Sequence, residues 1–251
     1  MPNPRTRLQR KASPRRLAGQ VALITGASRG IGLALARALA REGCTLVLTA
    51  RDLRSLERAG REVTRLGSRV LLQACDVRDE KSIGVLAAAT KKSFGHVDIL
   101  INNAGIAVAT HPFEKISLED WRVVIDTNLT GTFLISRAIL PLMKRGATIA
   151  NILSLAATRI FAGSAAYNAS KHGALGLTGT MREELRPRGI RVIAVLPGAT
   201  DTDIWDSFWP TAPRKNMMSP DTVAEGIVCA LTLPANSTVE ELTIGPTVGT
   251  L

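Results

Sequence analysis

A strand, a glycine turn and the start of a helix follow one another in residues 20–32, whose sequence is QVALITGASRGIG. The first part is an apolar run of strand length, and apolar residues recur at helical spacing after the last glycine. Glycine lets the backbone approach a pyrophosphate closely, and the free N–H groups of a helix start attract an anion. Gly26, Gly30 and Gly32 therefore predict a dinucleotide-phosphate site, although ordinary turns also use glycines at such spacings.

The same alternation of short strands and amphipathic helices continues to the end of the chain. Strands are predicted at residues 20–25, 45–49, 70–75, 97–101, 148–153, 190–196 and 241–244. Such alternation specifies a parallel sheet with right-handed crossovers and helices on both faces. Because no internal repeat or second domain is visible, we predict one α/β domain over residues 20–251. Its fold would be a doubly wound, Rossmann-type, seven-stranded sheet.

Two long helices are predicted in the second half of the chain, at about 118–144 and 164–186. The first is expected to be interrupted only near Pro141, and it contains Asn128. Asparagine is mildly unfavourable inside a helix, so this side chain either faces solvent or has a function.

Polar loops follow two of the predicted strands. Asp76 and Val77 come after the third strand, where the carboxylate would either accept a hydrogen bond from an adenine amino group or cap the next helix. An Asn-Asn-Ala-Gly sequence at residues 102–105 follows the fourth strand. At the carboxyl end of a central strand, this loop would form the floor of a cofactor site.

Three residues near the middle of the chain suggest acid-base chemistry. Ser154 follows a predicted strand, and Tyr167 and Lys171 lie four residues apart in the next helix, so phenol and ammonium project from one face. A neighbouring cation favours the phenolate, which lowers a pKa that is otherwise about 10. The alternative for an isolated Tyr-x-x-x-Lys is a half-buried tyrosine beside a solvated lysine.

The end of the second strand bears on the choice of nucleotide. An NAD site usually has a carboxylate there for the ribose 2′-hydroxyl. Here no acid stands at the strand end, Arg51 follows it, and Arg29 lies inside the glycine turn. The carboxylate of Asp52 slightly disfavours a 2′-phosphate at this position, although its side chain would cap the following helix. We predict NADP(H) rather than NAD(H), with both arginines near a 2′-phosphate.

An irregular segment at 203–218 contains Trp205, Phe208 and Trp209. Placed at the carboxyl end of a strand, it would be either a substrate lid or packing material.

The net charge of +11 is uneven, since residues 1–19 carry +6 without an acid and leave +5 for the rest. We predict that residues 1–19 form a disordered basic arm. It lacks a nucleic-acid recognition motif, and its three prolines oppose an amphipathic targeting helix, although a role with nucleic acid or in organelle targeting stays open. No apolar run reaches membrane-spanning length.

The cysteines and histidines show neither a disulfide pattern nor metal-ligand spacing. We therefore expect no metal, and three reduced core cysteines in a cytoplasmic protein. These are Cys44, Cys75 and Cys229.

Taken together, the motifs resemble the short-chain dehydrogenase/reductase family along essentially the whole chain after residue 19. The matching motifs are Thr25-Gly26-x-x-x-Gly30-x-Gly32, Asn102-Asn103-Ala104-Gly105, Asn128, Ser154, Tyr167-x-x-x-Lys171 and Pro197-Gly198 with Thr202. The thirteen-residue step from the serine to the tyrosine is typical of the family. Leu153 stands at a position where many members of the family have a serine. Residues 242–247 lack the paired-glycine ending of many 3-oxoacyl-carrier-protein reductases, the members that the chain otherwise resembles.

The resemblance implies an NADP(H)-dependent oxidoreductase acting on a small carbonyl or secondary alcohol. Tyr167 would exchange the proton with the substrate oxygen, Ser154 would hydrogen-bond that oxygen, and Lys171 would bind the nicotinamide ribose and lower the tyrosine pKa. Asn128 would hold a water through its backbone. The long helices at 118–144 and 164–186 would pair across a two-fold axis, commonly in a homotetramer. The predicted cofactor-binding residues are Gly26, Ser28, Arg29, Gly30, Ile31, Gly32, Arg51, Asp76, Val77, Asn103, Ala104, Gly105, Tyr167, Lys171, Pro197, Gly198, Thr200 and Thr202.

Two other classes of function are considered. A cofactor-binding regulator or inactive homologue would keep the fold, but would not need the serine, asparagine, tyrosine and lysine together. A nucleotide- or methyl-donor-binding transferase would share the glycine turn, but not the tyrosine-lysine pair.

Overall fold

A computed structural model describes residues 15–249 of the chain. Seven parallel strands form one sheet in the order β3-β2-β1-β4-β5-β6-β7. The strands are β1 Val21–Thr25, β2 Thr45–Ala50, β3 Val70–Ala74, β4 Ile99–Asn102, β5 Thr148–Ile152, β6 Arg191–Pro197 and β7 Glu241–Ile244. The order reverses between β1 and β4, which opens a crevice at the carboxyl ends of these strands. The predicted doubly wound α/β fold is confirmed.

Helices cover both faces of the sheet. They are α1 Gly30–Arg41, α2 Leu53–Arg65, α3 Glu80–Phe94, α4 Leu118–Ile125, α5 Gly131–Ile139, α6 Ala165–Leu185, α7 Ile204–Phe208 and α8 Pro220–Leu231. Alternate residues of β1 point to opposite sides, as strand geometry requires. Ile24 belongs to the core beneath α1 and α8, and Leu23 to the core beneath α3 and α5.

The predicted helix at 118–144 is not continuous. A π-helical turn, Asp126–Thr130, separates α4 from α5, and a 3₁₀ turn, Leu140–Leu142, follows α5. The π turn widens the backbone at Asn128, whose side chain is buried and 2% exposed. The solvent-facing alternative for this asparagine is therefore wrong.

The same segment is the one helical stretch of the described chain that is long and apolar enough to pass a test for a membrane span. An 18-residue window within Leu118–Leu142 has a mean hydropathy of 1.3, and 44% of that window is buried inside the domain. Here α4 packs against α6 and α5 packs against α3. The apolar residues of this segment are therefore used for packing within the domain.

The boundary of the predicted N-terminal arm differs from the structure. Residues 1–14 lie outside the described part of the chain, but the following residues pack on the domain. Leu17 is 3% exposed within the core, and its carbonyl oxygen accepts a hydrogen bond from Cys44 Sγ. The backbone N–H of Arg16 donates to the Glu42 carboxylate at 3.0 Å. An isolated leucine in a basic stretch gave no signal of this docking.

Replacing Leu17 with alanine is expected to destabilise the domain by about 2 kcal/mol, at the low end for buried leucines because the site is peripheral. That change corresponds to a fall of about 4–8 °C in Tm, measured by calorimetry. Leu233→Ala, at a leucine that is 37% exposed, serves as the control. An equal Tm for the parent and Leu17→Ala would show that this contact does not contribute to stability.

Candidate functional site

The glycine turn between β1 and α1 presents bare backbone to the crevice. Gly30 has a φ angle of +55°, in the left-handed region that favours glycine. A Cβ on Gly32 would lie 2.3 Å from the carbonyl oxygen of Gly26, closer than any side chain tolerates. The turn therefore offers the close backbone approach that a bound phosphate needs.

The first turn of α1 adds free donors to this surface. Its N-cap is Arg29, whose side chain makes no capping hydrogen bond. The first N–H groups of a helix have no intrahelical partner, and with the helix dipole they attract an anion. Ser28 and Ile31 line the cavity beside them. These features fit a pyrophosphate, and no group of metal-ligating side chains occurs in residues 15–249.

The loop after β4 forms the floor beneath the glycine turn. Asn103 Nδ2 donates to the carbonyl oxygens of Thr25 and Gly26 at 2.9 and 3.1 Å. Thr25 Oγ1 accepts from the backbone N–H groups of Asn103 and Ala104, both at 3.0 Å. Gly105 continues this floor along the cavity. The Asn103 side chain therefore holds the glycine turn in place.

The crevice beyond β2 and β3 is basic. Arg51 and Arg58 line it and are exposed, and their side chains make no hydrogen bond or ion pair with another described residue. Arg78 Nε lies 3.0 Å from Asp76 Oδ1, and this hydrogen bond holds the pKa of the Asp76 carboxyl below its usual value. Asp79 accepts from two first-turn N–H groups of α3 and is its N-cap. The capping alternative for Asp76 is therefore wrong, and its adenine contact stays a prediction.

Arg29 has a different environment from the one predicted for it. Its Nη1 lies 3.0 Å from Oδ2 of Asp203, just before α7, and both side chains are exposed. An exposed pair of this kind is weak and screened by salt. A phosphate group near Arg29 would therefore compete with Asp203 for the guanidinium.

The loop after β6 lines the opposite side of the glycine turn. Pro197 ends β6, and Thr200 Oγ1 donates to the carbonyl oxygen of Gly198 at 2.9 Å. Thr202 lies against the turn, since a Cβ on Gly30 would be 3.2 Å from its methyl group. The predicted loop residues are therefore brought to the crevice.

Ser154, Tyr167 and Lys171 meet at the carboxyl end of β5. Ser154 begins a 3₁₀ turn, and its Oγ accepts from the N–H of Ala156 at 3.1 Å. Tyr167 is half-buried in α6, and its hydroxyl forms a hydrogen bond with Ser154. Lys171 Nζ lies 5.6 Å from the Tyr167 ring centroid and donates to the carbonyl oxygen of Ile152 at 3.1 Å. The geometry brings the predicted trio together.

Burial shifts the pKa values of two of these groups. Desolvation raises the pKa of Tyr167, and the hydrogen bond with Ser154 opposes this effect only in part. Desolvation also lowers the pKa of Lys171 to about 8. The tyrosine shift is opposite to the one predicted from the sequence, because burial outweighs any influence of an ammonium that points to the Ile152 carbonyl oxygen.

Asn128 connects the π turn with α6 and the loop after β4. Its Oδ1 accepts from the N–H of Ile106 at 2.8 Å, and its Nδ2 donates to the Ile106 carbonyl oxygen at 2.9 Å. Nδ2 also donates to Ser170 Oγ at 3.0 Å, and that hydroxyl donates to the Tyr167 carbonyl oxygen at 2.8 Å. The Asn128 carbonyl oxygen accepts from Thr132 Oγ1 at 2.8 Å. This side chain therefore positions the helix that carries the tyrosine, and the backbone-bound water stays a prediction.

One cavity of about 1140 Å³ runs along the whole crevice. All predicted site residues line it except Gly32 and Asn128, which support its wall from behind. Even the buried Val77 contributes to the surface at the β3 end. The volume exceeds that of a typical small-molecule pocket, so a dinucleotide and a second molecule both find room.

The aromatic segment after β6 forms part of the wall. Residues 204–208 are α7, and Trp205, Phe208 and Trp209 all line the cavity. The Phe208 ring centroid lies 5.5 Å from that of Tyr167. The segment therefore borders the predicted substrate position, as the lid interpretation requires.

A family comparison decides the identity of this protein. The model of the short chain dehydrogenase family matches residues 20–212, well over half of the chain. The chain belongs to the short-chain dehydrogenase/reductase family. It is therefore an oxidoreductase enzyme of the dehydrogenase/reductase type.

Relatives and solved structures agree with this family. The dehydrogenase is 39% identical over 195 residues to a 3-oxoacyl-[acyl-carrier-protein] reductase of Synechocystis, with 76% of this chain and 78% of the relative covered. An alcohol dehydrogenase from Thermococcus sibiricus, complexed with 5-hydroxy-NADP, has a TM-score of 0.86 at 33% identity, covering 92% and 97% of the two chains. A 3-ketoacyl-(acyl-carrier-protein) reductase from Brucella melitensis, complexed with NADH, has a TM-score of 0.82 at 30% identity, covering 91% and 98%.

The sequence prediction missed several lining residues of the dehydrogenase. Ser55 and Arg58 extend the basic end, and Ile160 and Phe161 add apolar side chains to the lining. The first pair had a usable signal, because the Asp52 cap fixes the start of α2 and its first turns face the carboxyl edge of the sheet. The second pair lies in an irregular stretch, whose course no periodicity indicates.

The lowered pKa of Lys171 predicts that the stability of the folded protein depends on pH. The pKa of Lys171 is about 8 in the folded protein, against 10.5 for an ordinary lysine. Between these two pH values the unfolded chain binds more protons than the folded protein, so the free energy of unfolding rises with pH. We expect the Tm of the parent to rise between pH 8 and 10 relative to that of Lys171→Met. Calorimetry on both proteins checks this, and parallel Tm curves would contradict the shift.

Proposed function

We propose that this enzyme reduces a carbonyl compound to a secondary alcohol with NADPH, and runs the reverse reaction with NADP⁺. The observation that carries the proposal is the Ser154, Tyr167 and Lys171 cluster in the same cavity as the glycine turn. When bound, the nicotinamide supplies or accepts the hydride. The chain itself must then bind the substrate oxygen and manage its proton.

Tyr167 is the proposed proton donor in the reducing direction. Its raised pKa keeps the phenol protonated near neutral pH, which suits an acid rather than a base. Ser154, already hydrogen-bonded to this hydroxyl, would donate to the oxygen on which negative charge develops. Lys171, buried behind the phenol, would bind ribose hydroxyls and favour transfer of the proton. Asn128 would hold the relay water through its backbone, while its side chain keeps α6 in position.

The basic crevice supports NADP(H) over NAD(H). Arg51 follows β2 and Arg58 lies on α2, and neither side chain makes an ion pair with another described residue. The adenosine ribose of such folds lies at the end of the second strand. Of the two solved neighbours described above, one holds an NADP derivative and the other NADH. The local charge of this chain is what favours a 2′-phosphate.

The proposal is tested by assaying purified enzyme for NADPH and NADH oxidation with ketones, acyl thioesters, quinones and sugars. Turnover of at least one carbonyl class, with a faster rate for NADPH, is expected. Nicotinamide binding without turnover on every class would instead support a cofactor-binding regulator. A chain that binds no nicotinamide would contradict the proposal.

We also propose that the enzyme is a homotetramer in the cytoplasm. Leu118, Trp121 and Phe133 are exposed on α4 and α5, and a Cβ on Gly176 of α6 would meet nothing within 4 Å. These features leave an open apolar surface for a second copy. Gly173, by contrast, packs against Leu129 within the chain and is not free for this role.

Light scattering at micromolar concentration is expected to show a tetramer, and Phe133→Glu is expected to reduce the assembly because a charge would be buried at the contact. Leu53→Glu is the control, since Leu53 is 46% exposed on α2, which packs on the opposite face of the sheet from α5. A monomeric parent would contradict the proposal.

A further inference from the structure

The charge of the large cavity is concentrated at one end. Four arginines line it, and all belong to the glycine turn or to the regions after β2 and β3; they are Arg29, Arg51, Arg58 and Arg78. Asp52 and Asp76 lie at the same end. In the half of the cavity around Tyr167, the one cation among the described lining residues is Lys171, and Asp203 pairs with Arg29 of the glycine turn. The lysine ammonium is buried and donates to Ile152, and the aspartate is held by Arg29. This half of the cavity therefore offers no available cation to an anionic substrate.

A ladder of rings forms one wall of this uncharged half. Phe208 lies between Tyr167 and Trp205, with ring centroid distances of 5.5 and 5.6 Å. Trp209 continues the ladder at 6.3 Å from Trp205. Trp205 is fixed, because its Nε1 donates to the Thr200 carbonyl oxygen at 2.8 Å. Phe208 therefore packs against both Trp205 and the phenol, beside the position where a flat substrate group would lie.

The stretch between Ser154 and α6 adds further apolar side chains to the lining. It includes Leu155, Ile160 and Phe161. Asn168 Nδ2 donates to the carbonyl oxygen of Phe161 at 2.8 Å, and the N–H of His111 donates to the Gly163 carbonyl oxygen at 3.0 Å. Together with the aromatic rings, these side chains line an apolar part of the cavity, the slot.

We propose that the substrate is an uncharged ketone with a flat ring next to its carbonyl group, and that Phe208 is the main residue selecting the ring. The proposal rests on the carbonyl reduction proposed above. A ring would stack in the slot while the carbonyl oxygen meets Ser154 and Tyr167. A carboxylate or sulfonate in the same place would lose its hydration without gaining an ionic partner.

The test uses three probes that separate charge from shape. Ethyl benzoylformate and the benzoylformate anion share the ring and ketone and differ mainly in charge. Ethyl pyruvate keeps the keto ester and lacks the ring. We expect kcat/KM with NADPH to be at least about tenfold higher for the neutral aryl ester than for either comparison. A preference for the anion or for ethyl pyruvate would overturn the proposal while leaving carbonyl reduction intact.

Phe208→Ala is expected to lower kcat/KM for ethyl benzoylformate about tenfold, mainly through KM, and to change the value for ethyl pyruvate far less. The dissociation constant of NADPH should stay within a few-fold in this variant. Phe113→Ala is the control, because Phe113 is 82% exposed and lies outside the cavity lining. Equal losses for both esters in Phe208→Ala would show a general structural role instead and would overturn the assignment.

Isothermal titration separates this proposal from the proposed function. Ethyl benzoylformate is titrated into the complex of the enzyme with NADP⁺. Binding that weakens in Phe208→Ala, together with no turnover of any probe, would support the slot and contradict carbonyl reduction. No binding of the neutral ester, at concentrations where ethyl pyruvate binds, would overturn the substrate class.

Discussion

Tyr167→Phe is expected to reduce kcat by about 100- to 10,000-fold, the usual contribution of general acid-base catalysis. The change removes the phenolic oxygen and keeps the ring, so its packing against Phe208 at 5.5 Å should persist. The dissociation constant of NADPH is therefore expected to stay within a few-fold. Stopped-flow measurement of hydride transfer and a fluorescence titration of the cofactor check the two parts.

A matched control for this result is Phe113→Tyr, which adds a phenolic oxygen at an exposed residue outside the cavity lining. It should retain most of the turnover. Tyr167 is also the single tyrosine of the chain, so tyrosinate absorbance reports its ionisation alone. That titration should give a pKa above the ordinary value of 10.0 in the free enzyme. A kcat within tenfold of the parent would refute the role of Tyr167.

The second large effect concerns the cofactor. We expect kcat/KM for NADPH to exceed that for NADH by about ten- to a hundredfold, because one hydrogen bond to a charged partner contributes roughly 1.5–3 kcal/mol. Arg51→Ala should remove most of this preference, because it should weaken the binding of NADPH and have little effect on the binding of NADH. Arg58→Ala should act in the same direction, since its guanidinium lines the same basic end of the cavity.

Arg54→Ala is the control for these substitutions. It removes the same charge from the first turn of α2, the helix that carries Arg58, at an exposed residue outside the cavity lining, so it reports long-range electrostatics alone. If Arg54→Ala and Arg51→Ala weaken the binding of NADPH equally, the preference for NADPH over NADH does not come from a direct contact with Arg51. Equal kcat/KM values for the two cofactors in the parent would refute the nucleotide prediction itself.

Periodicity and turn chemistry were enough to predict the sheet and most of the crevice. All seven strands were predicted, most of them because they are short apolar runs between turn residues, and parallel order brings their carboxyl ends to one edge. The Asp52 cap was anticipated and is present, with its side chain accepting from two first-turn N–H groups of α2. These features depend on local sequence, so a single chain reveals them.

The features that were missed depend on tertiary contacts. Leu17 is buried by a surface that is assembled from distant parts of the chain, and Cys229 is exposed on α8 although its neighbours are apolar. The direction of the Tyr167 pKa shift depends on how completely the site excludes water, which spacing along a helix does not report. The ion pair between Arg29 and Asp203 joins residues 174 positions apart.

The π turn at Asp126–Thr130 has a consequence for how this chain tolerates changes in length. A π turn holds one residue more than an α-helical path between the same ends. Removing one residue from it would let α4 and α5 join as an ordinary helix, so the fold would survive the deletion. Each residue of an α-helix turns by about 100°, and Asn128 would swing away from Ile106 and Ser170. A one-residue deletion here would therefore leave folding intact and greatly reduce activity. Insertions and deletions in helices usually disrupt folding instead.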